Sequence, residues 1–114
     1  MDLQEANRRR AILVALSISA QYRLPIRPLR DILESVGHVL SLDRLRTDLS
    51  WLTEQGCIEL GANDLAIAKD RGVDVAMGRT HIPGIARPTP TEVGSLSSAL
   101  ATTGINLAKA LGGY

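Results

Sequence analysis

Between Ser41 and Gly56 the chain carries Leu42, Leu45, Leu49 and Leu52, with neither glycine nor proline among them. Leucines at intervals of three and four fall on one face of an α-helix, because 3.6 residues complete a turn. Ser41 is a favoured N-cap, since its hydroxyl accepts from a first-turn N–H that has no helical partner. Gly56 is a favoured C′ stop. The pattern predicts a helix over 42–55 with a buried leucine stripe, and the rest of the fold must cover that stripe.

Upstream, residues 3–20 read as a first helix, with Ala6, Ile12, Leu13, Leu16 and Ala20 at helical spacing and Gln4, Glu5, Asn7, Arg8 and Arg9 as polar surface. Pro25 breaks the pattern in 21–27. Pro28 stands where a second helix can begin, its missing N–H costing little in a first turn. Leu29, Ile32, Leu33 and Val36 follow at helical spacing, and Gly37 ends that helix. Downstream, CIEL (57–60) and LAIA (65–68) are short alternating apolar runs around the turn-like GAND (61–64), which reads as a β-hairpin. KDRGVDVAMG (69–78) reads as a short helix with Val73 and Ala76 or Met77 turned inward. The expected core is Ile12, Leu13, Leu16, Leu29, Ile32, Leu33, Leu45, Leu49, Leu52, Ile58 and Ile67.

The 114 residues suit one domain, and with no Phe its core is aliphatic. Thirteen Lys+Arg against twelve Asp+Glu leave a net charge of +1, which excludes a uniformly basic coat but not a local patch. Eleven of the thirteen are Arg, a side chain suited to phosphate and guanine edges and equally to carboxylates within a fold. Cys57 is the single cysteine, so an intrachain disulfide is excluded, in keeping with a reducing compartment. The N-terminus has no secretory pattern and no stretch reaches ~18 apolar residues, so a cytoplasmic protein is expected. No nucleotide-binding glycine motif occurs, His38 and His81 are isolated, and Ser95, Ser97 and Ser98 lack a paired base. The expectation is therefore a non-enzyme without metal or cofactor.

Residues 81–92 hold Pro83, Pro88 and Pro90 and read as an extended linker that closes a domain of residues 1–80. Residues 93–114 contain no Asp, Glu or Arg, and Val93, Leu96, Leu100, Leu107 and Leu111 share one helical face. Gly94 and Gly104 each weaken such a helix by about 1 kcal/mol relative to Ala, so it forms only when its stripe is buried. The expected burial is on a second copy, which makes the protein a homo-oligomer through this tail. A basic face of the kind that binds membranes is missing.

The order of three helices, a hairpin and a short helix resembles a winged helix-turn-helix domain: mainly α with a small β-hairpin, followed by the C-terminal helical tail. The resemblance is carried by Leu49, Leu52, Gly56, Cys57 and Ile58, as a recognition helix running into the first wing strand. Leu65, Ile67, Gly72 and Val75 match the second wing strand and the helix after it. The pattern is similar to the bacterial MarR-like and ArsR-like superfamily. The stretches LRDILESVGHVLSLDRLRTDLSWLTEQG and DRGVDVAMGRTHIPGIARP resemble small winged-helix proteins of Mu-like prophages. The resemblance implies a fold and a phage setting in a bacterial host, and carries no activity with it.

In such a domain helix 42–55 enters the major groove with its N-terminal half. With the leucines inward, Asp43, Thr47, Ser50 and Glu54 point outward, Arg44 and Trp51 lie to one side and Arg46 to the other. The expected DNA-binding set is Arg44, Arg46, Thr47 and Ser50, with phosphate contacts from Arg8, Arg30 or Lys69. The competing structural reading pairs Arg44 with Asp48 at i+4 and leaves Arg8, Arg9 and Arg10 as a solvated face. GAND has no Lys or Arg and suits a minor groove poorly. Trp51 is expected to pack on the first helix or the wing. The leading function is a phage-type winged-helix protein that binds double-stranded DNA as a transcriptional or DNA-transaction accessory factor. The alternative is a protein-interaction module that docks a phage or host protein and never touches DNA.

Overall fold

The computed structural model describes residues 3–89, 94, 96–99 and 101. Helix α1 (Leu3–Ser17) is followed by a tight turn and strand β1 (Arg23–Pro25), then by α2 (Ile26–Ser35) and α3 (Leu42–Glu54). Strands β2 (Ile58–Gly61) and β3 (Leu65–Ala68) come next, and helix α4 (Asp70–Ala76) follows. The fold is mainly helical with a small antiparallel sheet of order β1-β3-β2.

Helix α1 is the centre of the molecule. Every residue from Ala11 to Ser17 is buried, as expected where a helix is apolar all round. It packs against α2, α4, β1 and β3. Ser17 and Ser19 end it: their buried hydroxyls donate back to the carbonyls of Val14 and Ala15, so the helix stops short of the Ala20 that periodicity suggested.

Helices α2 and α3 end alike. The His38 N–H returns to the Leu33 carbonyl and the Cys57 N–H to that of Leu52, while Gly37 and Gly56 donate to Glu34 and Thr53. Both glycines are left-handed, with φ of 99° and 76°, which makes both ends Schellman caps. At the other end of α3 the Ser41 hydroxyl accepts from the Arg44 N–H at 3.1 Å, as its N-cap position predicted. Helix α2 starts at Ile26, earlier than expected, with Pro28 inside the first turn, where no helical N–H bond is lost.

Strand β1 is absent from the sequence reading. It pairs Arg23, Leu24 and Pro25 with Ile67, Ala66 and Leu65. The hairpin turn carries two successive left-handed residues, Asn63 and Asp64, closed by the Leu65 N–H on the Ala62 carbonyl. That mirror-image geometry matches the twist of the flanking strands. The register sets Leu24, Ala66 and Leu60 in one cross-strand row and Arg23, Ile67 and Glu59 in the next. The core lies under Leu24 and Ala66 of the first row, both buried, while Leu60 on the outer strand is 40% exposed and Ile67 is only partly buried. The other ten expected core residues are buried. In α4 the inward positions are Val75 and Ala76, while Met77 is exposed.

The proline-rich segment is no free linker over its described part. Ile82 and Ile85 are buried in the core, and the Ala86 N–H bonds the Ala6 carbonyl, so 81–89 runs along α1. Leu96 is likewise fully buried in the core of its own chain and Ala99 packs against it. Leu96 is thereby withdrawn from the expected contact with a second copy. Val93, Leu100, Leu107 and Leu111 lie outside the described residues. Among the described residues no helix is long and apolar enough to cross a membrane.

Candidate functional site

Helix α3 has two polar faces with opposite surroundings. Its inner flank carries Asp48 and Trp51. Asp48 is buried, at 1% exposure, a position a carboxylate keeps only when paired and hydrogen-bonded. Arg8 grips it side-on: Nε donates to Oδ2 and Nη2 to Oδ1 at 3.1 Å. Arg9 adds a second positive charge, with Nε 3.8 Å from Oδ1.

Arg9 joins three segments of the chain. Its Nη2 pairs with Glu5 one turn earlier, and its Nη1 donates to the Gly84 carbonyl at 3.3 Å. The guanidinium lies over the Trp51 ring, 3.9 Å from the centroid, a cation–π contact. Gly84 meets the same ring, and its φ is +100°. A Cβ there would stand 2.9 Å from Trp51, so both backbone conformation and space require glycine. Arg10 donates to the Arg87 carbonyl at 2.6 Å. The Arg8–Arg10 run thus radiates from α1, as its helical spread required, but into structural contacts. It is neither a solvated face nor a phosphate site, and Arg8 leaves the candidate set.

The outer face of α3 carries Asp43, Arg44, Arg46, Thr47, Ser50 and Glu54, all exposed. Arg44 has no carboxylate within ion-pairing distance among the described residues, and the expected pair with Asp48 is replaced by the Arg8–Asp48 bridge. Arg46 is engaged: Nη1 lies 3.6 Å from Asp43 Oδ1, and Nη2 lies 3.1 Å from Oδ2 of Asp64 in the hairpin turn. The Thr47 hydroxyl donates to the Asp43 carbonyl at 3.1 Å, which leaves its oxygen as an acceptor toward solvent. The structure therefore gathers Arg44, Arg46, Thr47 and Ser50 on one accessible helix beside the hairpin.

The other expected contacts stand apart. Arg30, on α2, is 30% exposed and lies 3.9 Å from its neighbour Asp31. Lys69 is exposed between β3 and α4. His81 Nε2 bonds the Ile85 carbonyl at 3.1 Å, within the segment along α1. Burial pushes the Cys57 thiol up from its ordinary value, with Arg71 acting in the opposite direction, so the residue stays a protonated thiol at neutral pH. Among the described residues no group of three His, Cys, Asp or Glu side chains is placed to hold a metal ion.

Sequence reasoning gave Asp48 the wrong arginine, Arg44 in place of Arg8 and Arg9, and missed Asp64 as a partner of Arg46. Asp48 lies about 80° around the helix from the centre of the leucine stripe at 100° per residue, on the edge of the buried face. That position, with three consecutive arginines running into the apolar stretch 11–16 of the first helix, was the available signal. The Arg46–Asp64 pair spans two elements and had none.

Over 65 residues the chain is 37% identical to "Uncharacterized protein gp26" of Escherichia phage Mu, a match that covers 54% of this chain and 68% of that protein. No protein-family model and no solved structure matches the chain.

Proposed function

The chain belongs to the same family as gp26 of Escherichia phage Mu, and from that premise we propose that it is a phage-type winged-helix protein that binds double-stranded DNA through the outer face of α3. Support for the fold comes from the element order, in which α2 and α3 adjoin and a hairpin follows, with β1 closing a sheet of order β1-β3-β2. The observation that carries the function is Arg44: an exposed guanidinium in the first turn of a firmly capped helix, with no carboxylate within ion-pairing distance among the described residues. Its five N–H donors suit a guanine edge or a phosphate. Ser50 follows on the exposed side of the helix and offers its hydroxyl proton to the backbone of the duplex, and Thr47 does so once it releases the Asp43 carbonyl. The role is that of a transcriptional or DNA-transaction accessory factor.

A net charge of +1 gives one domain little general attraction for DNA. Useful affinity then calls for two copies on one duplex, joined through the tail without Leu96, which the core of its own chain holds. The mass of the full chain in solution, by light scattering, tests that part separately.

A second reading is supported by Asp43 and Asp64, which put negative charge around Arg46, and by Glu54, exposed further along the same helix. On that reading the same face docks a protein. Fluorescence anisotropy with a labelled duplex decides between them. Binding at micromolar protein that weakens steeply between about 50 and 200 mM salt supports DNA recognition. A flat signal at the lower salt contradicts it and favours the protein partner.

A further inference from the structure

Resting on the DNA-binding role of α3, we infer that Asp64 in the hairpin turn is a negative determinant of duplex affinity, because it competes with phosphate for Arg46. Both terminal nitrogens of Arg46 point at carboxylates: Nη2 at Asp64, 3.1 Å away, and Nη1 at Asp43, 3.6 Å away. Arg44, two residues earlier on the same helix, has no such neighbour among the described residues. One guanidinium between two carboxylates leaves the hairpin side of this face with an excess of negative charge. A duplex docked on α3 brings phosphates to that same side, so both acids oppose it and Arg46 helps only after leaving them.

The pair is built to exchange. Arg46 and Asp64 are each about half exposed and Asp43 almost fully so, and exposed pairs of this kind hold weakly. The backbone around Asp64 is fixed, in contrast. Asn63 and Asp64 are both left-handed, with φ of 59° and 58°, and the Leu65 N–H closes the turn. Asn favours that conformation at least as well as Asp. Asp64→Asn therefore removes the charge and keeps the turn.

The test is anisotropy with a labelled duplex of mixed sequence and four full-length proteins: wild type, Asp64→Asn, Arg46→Ala and the double variant. Asp64→Asn is expected to tighten binding roughly two- to fivefold and to steepen the salt dependence by about one counterion. Arg46→Ala in that background is expected to remove most of the gain, while Arg46→Ala alone changes affinity less than it does there. Wild-type affinity in a folded Asp64→Asn protein overturns the inference and leaves DNA binding by α3 standing. A gain that persists in the double variant also overturns it, because the lost negative charge alone then accounts for the effect. If none of the four proteins binds the duplex, the DNA-binding role falls and the inference falls with it; binding that appears only in Asp64→Asn supports both.

Discussion

Asp48 and Asp43 sit on the same helix, both beside arginine, and do opposite work. Asp48 is buried and held by Arg8 and Arg9 from α1, whose side chains are themselves only 12% and 10% exposed. Asp43 is 97% exposed and meets Arg46 at 3.6 Å. The chemistry is the same and the surroundings differ. Away from water an unpaired charge is costly, so the inner pair fixes the position of α3 against α1. In water the outer pair is worth little and is free to trade partners. Arginine in this protein is therefore structural where α3 is buried against α1 and available where the helix meets water.

The comparison breaks most visibly at Asp48. Asp48→Ala leaves Arg8 and Arg9 without their shared carboxylate and is expected to cost about 3–5 kcal/mol in chemical denaturation. Asp43→Ala, at the outer pair, is expected to stay within about 0.5 kcal/mol. Equal losses would mean that burial does not separate the two sites.

Leu49→Ala and Leu96→Ala come next, each expected to cost about 2–5 kcal/mol. Leu49 tests the stripe of α3, and Leu96 tests whether the C-terminal segment completes the core of its own chain. An unchanged melt for Leu96→Ala would return that residue to the surface and to a second copy. Smaller again is Arg44→Ala, expected to weaken duplex binding by about 1–3 kcal/mol and to depend on sequence if Arg44 reads a base. A uniform loss across sequences would make it a phosphate contact.

The helix ends were legible because their determinants are local. Ser41, Gly37 and Gly56 cap through bonds to residues a few positions away, and spacing reveals that. Strand β1 was not legible: Arg23-Leu24-Pro25 is short and contains a proline, and only its partner β3 makes it a strand. The facing of β3 was misjudged for a related reason. Local alternation favours the bulkier Ile67 inward, but pairing with the buried Leu24 turns Ala66 to the core. At the site, exposure of Arg44, Arg46, Thr47 and Ser50 followed from the leucine stripe. The fate of Arg8 did not, since it depends on Asp48 forty residues away in sequence.

The most direct measurement sets Arg8→Ala beside Arg44→Ala, with denaturation and duplex binding recorded on both. Arg8→Ala is expected to lower stability by about 3 kcal/mol and to leave the DNA affinity of the folded fraction within about twofold. Arg44→Ala is expected to do the reverse, with affinity falling roughly 5- to 150-fold and stability within about 0.5 kcal/mol. Loss of DNA affinity in Arg8→Ala with an unchanged melt, or loss of stability in Arg44→Ala with unchanged binding, would contradict the division between the buried and the exposed arginines around α3.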